Sequence, residues 1–169
     1  IAQHKLAYLL EQPGEFRNLS EAARFYLKGG MNGHPDSLYN LSLMVEEGLV
    51  PCPEDWTSEK LTNSAVSLGS PAAKSSWVQT TIATIDTLSA SELKVLWDTA
   101  WDVFVEEPGV ANHSFFLGCL YVPTVVKGDV PRQFDLAKAV HFLKIAQRVD
   151  PDASRDSILQ NIMAACSDL

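Results

Sequence analysis

HPDSLYNLSLMVEEGLVPCPED, residues 34–55, is an apolar run at helical spacing that stops at Gly48 and passes into a proline-studded turn. A second stretch of the same texture, NHSFFLGCLY at residues 112–121, also runs into a loop, KGDVPRQFD. Two such phrases in one chain make internal periodicity the first thing to look for, because a repeat architecture changes the reading of every other signal.

The segment preceding the opening stretch carries the period. LSEAARFYLKGGMNG, residues 19–33, sets Ala22, then Phe25 and Tyr26, then the small pair Gly29 and Gly30, ahead of a closing Gly33. DLAKAVHFLKIAQRVD repeats that order with Ala139, Phe142 and Leu143, Ala146 and Asp150. ELKVLWDTAWDVFVEEPG supplies Trp101 and Gly109, and EKLTNSAVSLG supplies Leu61, Ala65 and Gly69. The closing positions are therefore 33, 69, 109 and 150. A second beat runs between them, with Leu6 and Ala7, Leu41 and Ser42, and Leu117 and Gly118 at matching points; Val78 breaks it in the third copy.

AQHKLAYLL, SLYNLSLMVEEG and SFFLGCLY resemble the first helix of a Sel-1-like repeat, roughly AxAQYNLGxxYxxG. SEAARFYLKGGMNG and DLAKAVHFLKIAQ resemble its second helix, roughly DxxKAxxWYxxAAxxG. The resemblance covers residues 1–150 and is degenerate in the third copy. It implies an all-α fold, a right-handed α/α superhelix (solenoid) of about four helix–turn–helix repeats. The expected repeats are 1–33, 34–69, 70–109 and 110–150, followed by a capping or next-repeat helix at 151–169. Helices are expected near 2–11, 17–31, 36–47, 57–68, 71–87, 90–106, 112–121, 134–148 and 152–167, and no alternating pattern argues for strands. A helical hairpin cannot bury its apolar stripe alone, so neighbouring hairpins must stack. The small residues Ala7, Ser42 and Gly118 let one helix approach the next, and Phe25, Trp101 and Phe142 fill the space between layers. Gly33 and Gly69 can take the left-handed conformation that ends a helix. His34 and Ser70, each beside a proline, then cap the next helix.

Composition is that of a globular chain: of 169 residues 46% are hydrophobic and 20% charged, and no apolar run reaches the roughly 18 residues of a membrane span. The net charge of −8 is concentrated in residues 34–111, which hold 12 acids and 3 bases, whereas residues 127–148 hold 5 bases and 2 acids. So acidic a centre argues against a nucleic-acid partner, whose phosphates it would repel. The chain starts at Ile1 and is expected to be a piece of a longer or processed protein. Three widely spaced cysteines (Cys52, Cys119, Cys166) form neither a metal motif nor a disulfide framework and favour a reducing intracellular compartment, cytosol or mitochondrion. The sequons at Asn18 and Asn112 leave the endoplasmic-reticulum lumen open; Asn40, also in a sequon, falls inside a packing helix.

Catalytic patterns are absent from the sequence. His4, His34, His113 and His141 show no i, i+4 pairing for a metal, no GxSxG or Ser/His/Asp order appears, and KGGMNG is a helix end rather than a phosphate loop. His34 reads most simply as a turn residue. Neither an enzyme nor a cofactor is expected. The resemblance implies an adaptor or scaffold that holds a protein segment on a concave face lined by first helices. The alternative is a structural module of a larger enzyme or complex. The candidate partner-binding residues on the second copy are Tyr39, Asn40, Met44, Glu46 and Glu47, with Tyr39 and Met44 also fitting core positions. Acid pairs at Glu46–Glu47, Glu54–Asp55 and Glu106–Glu107 are either solvated helix ends or contacts for a partner carrying Lys or Arg.

Overall fold

A computed structural model describes residues 1–52, 56–121 and 136–150, and among them the regular elements are helical. They are α1 (Ala2–Glu11), α2 (Leu19–Met31), α3 (Pro35–Glu46), α4 (Ser58–Ser67), α5 (Pro71–Ile82), a 3-10 turn (Ile85–Thr87), α6 (Ala90–Glu106), α7 (Ala111–Leu120) and α8 (Leu136–Val149). The expected helix at 152–167, the basic loop at 127–132 and the acids Glu54 and Asp55 lie outside the described residues. The chain divides into two compact units, Ile1–Trp77 and Val78–Leu169.

In the first unit α1 pairs with α2 and α3 with α4, and α2 packs on α3 to join the hairpins. The turns between them follow from glycine. Gly33, Gly48 and Gly69 have φ of 82°, 69° and 89°, the left-handed region where a Cβ is penalised. Each turn closes with a pair of backbone bonds. For the first, His34 N donates to Gly29 O at 3.0 Å and Gly33 N to Gly30 O at 2.8 Å; at the third, Ser70 N reaches Ala65 O at 2.9 Å and Gly69 N reaches Val66 O at 2.9 Å. Helix starts are capped by Asn18 and Thr57, whose side chains accept from Glu21 N and Lys60 N, and α2 begins at Leu19 because Asn18 occupies the cap. Ser70 also caps, accepting from Ala73 N at 3.2 Å. His34, expected to cap α3, makes no side-chain cap bond; its ring turns back over α1 instead.

Small residues act at two distinct seams. Within a hairpin, Ala7 and Ser42 are buried, and Thr62 of α4 donates to Ser42 Oγ at 3.0 Å. Between hairpins, a methyl added at Gly29 would fall 2.6 Å from Ser37 Oγ, and one at Gly30 only 2.1 Å from Leu38 Cδ2. Alanine normally stabilises an exposed helix interior by about 1 kcal/mol over glycine. Gly30→Ala is instead expected to lose about 1–2 kcal/mol, because overpacking outweighs that gain even as Leu38 swings aside. Urea titration checks this, and a variant as stable as the parent would mean that α2 and α3 are not in close contact.

Contacts one repeat length apart tie the first unit together. His4 Nδ1 lies 3.2 Å from Ser37 Oγ, joining α1 to α3, and Ser70 Oγ donates to Asp36 Oδ1 at 2.8 Å, joining α3 to the start of α5. Phe25, expected between layers, is only half-buried, with the Arg24 guanidinium over its ring; the fully buried aromatic of α2 is its neighbour Tyr26.

In the second unit α6 and α7 pack together, and α7 pairs with α8. Ser89 opens α6 by accepting from Glu92 N while the Glu92 carboxylate accepts from Ser89 N at 2.8 Å. The interior is aromatic. Phe142 meets Trp101 at 5.5 Å and Phe104 at 5.4 Å edge-on, and Tyr121 stacks on it at 5.8 Å; Trp97 closes edge-on against Tyr121. Gly118 sits against Leu143, its own hairpin partner on α8.

Two endings differ from the pattern. α5, expected to reach residue 87, stops at Ile82, where Thr84 and Thr87 hydroxyls bond the carbonyls of Thr81 and Thr84 and so compete with the helix. α6 ends at Glu106, ahead of Pro108, with Glu107 at φ −139°, and Gly109 is not in the left-handed region.

Candidate interaction surface

The Gly30 seam sets up a trough in the first unit. Because α2 ends tight against α3, Met31 projects beyond the contact and Leu38 forms a floor. The far wall is α4, which turns Lys60, Asn63, Ser64 and Ser67 toward the opening at i, i+3, i+4 and i+7 spacing, and Trp56 and Leu68 complete the lining. The trough is open to solvent and holds about 660 Å³, within the volume range of small-molecule clefts. It is apolar on one side and hydrogen-bonding on the other. It escaped the sequence reading because Met31, Trp56 and Leu68 stand at helix ends or in the preceding loop, outside the periodic stripes. An apolar residue inside a glycine-rich helix end (KGGMNG) is the signal that could have exposed it.

The residues singled out from the sequence do not form one surface. Glu46 and Glu47 are exposed at the end of α3. Tyr39 is half-buried against the core. Asn40 donates to Tyr26 Oη at 3.1 Å, and Tyr26 in turn donates to Glu11 Oε2 at 2.7 Å, so a polar chain links α3, α2 and α1. Burial and then the Glu11 bond push the Tyr26 phenol well above its ordinary range, keeping it a donor. Asn40 is half-buried and engaged in that chain, and a glycan on its amide would break it. Met44, which the sequence placed equally in the groove or the core, is fully buried on the stripe of α3 that faces inward.

Two histidines far apart in sequence meet. The His4 and His34 rings stack at 4.4 Å and 15°, with Tyr26 tilted at 5.6 Å from His4 and the buried His34 Nδ1 unpartnered. Parallel stacked rings direct their nitrogen lone pairs side by side rather than toward one point, and among the described residues no group of three metal-ligating side chains forms. His4 is held below its ordinary value of 6.5, first by burial, then by His34 and the N-terminus, against the opposing pull of Asp36 and Glu11. A base whose folded value is lowered contributes stability that is complete above 6.5 and lost as pH falls through the folded value. Thermal melts between pH 7.5 and 5 are therefore expected to fall more steeply for the parent than for His4→Gln. Equal slopes would mean the pair does not sense protonation.

His113 is buried with Nδ1 3.1 Å from Glu107 O, bracing the turn between α6 and α7, and His141 is exposed beside Phe142. Among the described residues no helix is long and apolar enough to cross a membrane. Set against protein-family models, curated proteins and solved structures, the chain finds no significant match.

Proposed function

We propose that this chain is a Sel-1-like helical-repeat scaffold, a right-handed α/α solenoid that binds a segment of another protein and carries no catalytic centre. What supports the repeat reading is the one-period bonding of His4 to Ser37 and Asp36 to Ser70, with glycine-closed turns at Gly33 and Gly69. The observation that carries the binding reading is the open trough between α2 and α4, apolar along Met31, Leu38 and Trp56 and polar along α4. A segment that places an apolar side chain on Leu38 and its backbone polar groups against Asn63 and Ser64 matches that division.

The exposed Glu46 and Glu47 favour Lys or Arg in the partner, outside the trough, where charge speeds and orients encounter. The net charge of −8 disfavours nucleic acid. A second reading, a structural module packed inside a larger enzyme or complex, is favoured by one observation: α1 exposes Leu6 and Leu9, as an interior repeat would.

Affinity capture with purified chain tests the proposal. Partners held by the parent are expected to be lost with Met31→Glu, an exposed substitution that leaves the melt unchanged. They should be weakened several-fold by Glu46→Lys with Glu47→Lys, and by raising salt from about 0.1 M to 1 M, where the Debye length drops from about 10 Å to 3 Å. Partners retained equally by all variants and in both salts would overturn the binding reading.

A further inference from the structure

The start of α1 is fastened to the turn after α2 and to α3 by three side-chain contacts. Asn32 Nδ2 donates to Gln3 Oε1 at 2.9 Å, the His4 ring stacks on the His34 ring at 4.4 Å, and His4 Nδ1 lies 3.2 Å from Ser37 Oγ. Apolar packing adds little there, since Ala7 is the buried residue of α1 and Ala2, Lys5 and Leu6 are exposed. The far end of α1 is held separately, by Asn18 N donating to Leu10 O at 2.8 Å and Tyr26 Oη donating to Glu11 Oε2.

The two imidazoles are not placed alike. His4 Nδ1 faces a hydroxyl, which can turn to donate or to accept, so that contact tolerates either state of the ring. His34 Nδ1 is buried without a partner, and a hydrogen placed on it would meet no acceptor. Two positive rings stacked at 4.4 Å would also repel. Charge reaches the pair from each neighbouring element: the Ile1 amine and Glu11 flank α1, Asp36 stands on α3, and α2 presents the Tyr26 phenol, held as a donor to Glu11. Burial and the neighbouring ring outweigh the two carboxylates, so His4 is held below its ordinary value.

We propose that the His4–His34 stack is a proton-released latch: a proton taken up by the pair parts the rings and frees the first half of α1 from the turn at Asn32–His34, while the α3–α4 hairpin stays folded. Both sides of the latch lie within the first unit. It does not depend on whether the trough binds a partner.

Hydrogen exchange of the whole chain, expressed as protection factors between about pH 7.5 and 5, tests the latch. The amides of Leu6, Ala7 and Tyr8 are expected to lose protection below about pH 6.5, by up to about tenfold per pH unit for each proton taken up. Those of Leu41 and Met44 in α3 and Leu61 and Ala65 in α4 should keep theirs. His4→Gln and His34→Gln should each flatten the response of α1. Asp36→Asn should deepen it, because the carboxylate that pulls against burial is gone. If either glutamine variant melts early at pH 7.5, the parent profile and Asp36→Asn decide the matter. Constant protection of α1 across this range overturns the proposal, as does an equal acid loss in both glutamine variants or a weaker loss in Asp36→Asn. A loss spread in parallel over α3 and α4 overturns it too, since that is acid unfolding of the whole unit.

Discussion

Phe142→Ala is expected to lower the stability of the second unit by about 3–5 kcal/mol, the cost of removing a large buried aromatic and leaving a cavity. The size follows from its neighbours. Its ring touches Trp101, Phe104 and Tyr121 at 5.4–5.8 Å, in edge-on and stacked arrangements that add about 0.5–1.5 kcal/mol each beyond area burial. A domain holds only about 5–15 kcal/mol in total, so the variant should sit close to unfolding. Urea titration followed by tryptophan emission is the measurement, since Trp97 and Trp101 belong to the same cluster. Phe25→Ala, at a half-buried ring under Arg24, should lose far less. A Phe142 variant within about 1 kcal/mol of the parent would show that the α8 side chain is not the hub of this core.

Gly118→Leu is expected to cost about 3 kcal/mol, at the top of the range for overpacking. Even a single added Cβ would stand 2.7 Å from Leu143 Cγ and Cδ2 and 3.4 Å from the Leu143 backbone nitrogen. The Leu143 side chain can turn aside, but the backbone nitrogen can recede only if α8 moves away from α7. The damage is confined to that hairpin, because Gly118 faces its own second helix. Gly118→Ala should cost less, since Leu143 alone must yield and alanine gains helix propensity. A Leu variant that melts with the parent would separate α7 from α8 at this level.

Much of the fold is legible in the sequence because helix ends and stripes are local. Gly33 and Gly69 follow helix ends in a conformation that glycine alone takes without penalty, and Pro35 and Pro71 open the next helices, so these ends and starts are read closely. Where termination has another cause the reading slips. Threonine hydroxyls stop α5 early, and Pro108 rather than Gly109 ends α6. The surface is less legible, since it depends on which neighbour covers each residue. Asn40 and Met44 carry helical spacing that suits a groove or a core equally, and only the position of Tyr26 and the facing of α3 decide. The trough and the His4–His34 stack bring together residues of different helices, distant in sequence, which no local pattern reports.

The claim on which the rest depends is that one hairpin stacks on the next through a glycine seam. Nuclear Overhauser contacts in the free protein test it most directly. Leu38 methyl protons are expected to give strong cross-peaks to the Gly30 Hα protons, and His4 ring protons to the Ser37 Hβ protons, contacts that exist only when α1 and α2 lie against α3. Finding both supports the stacking of the first hairpin on the second. Well-resolved Leu38 methyl signals with no cross-peak to Gly30 would contradict the stacking, and the scaffold reading would fall with it.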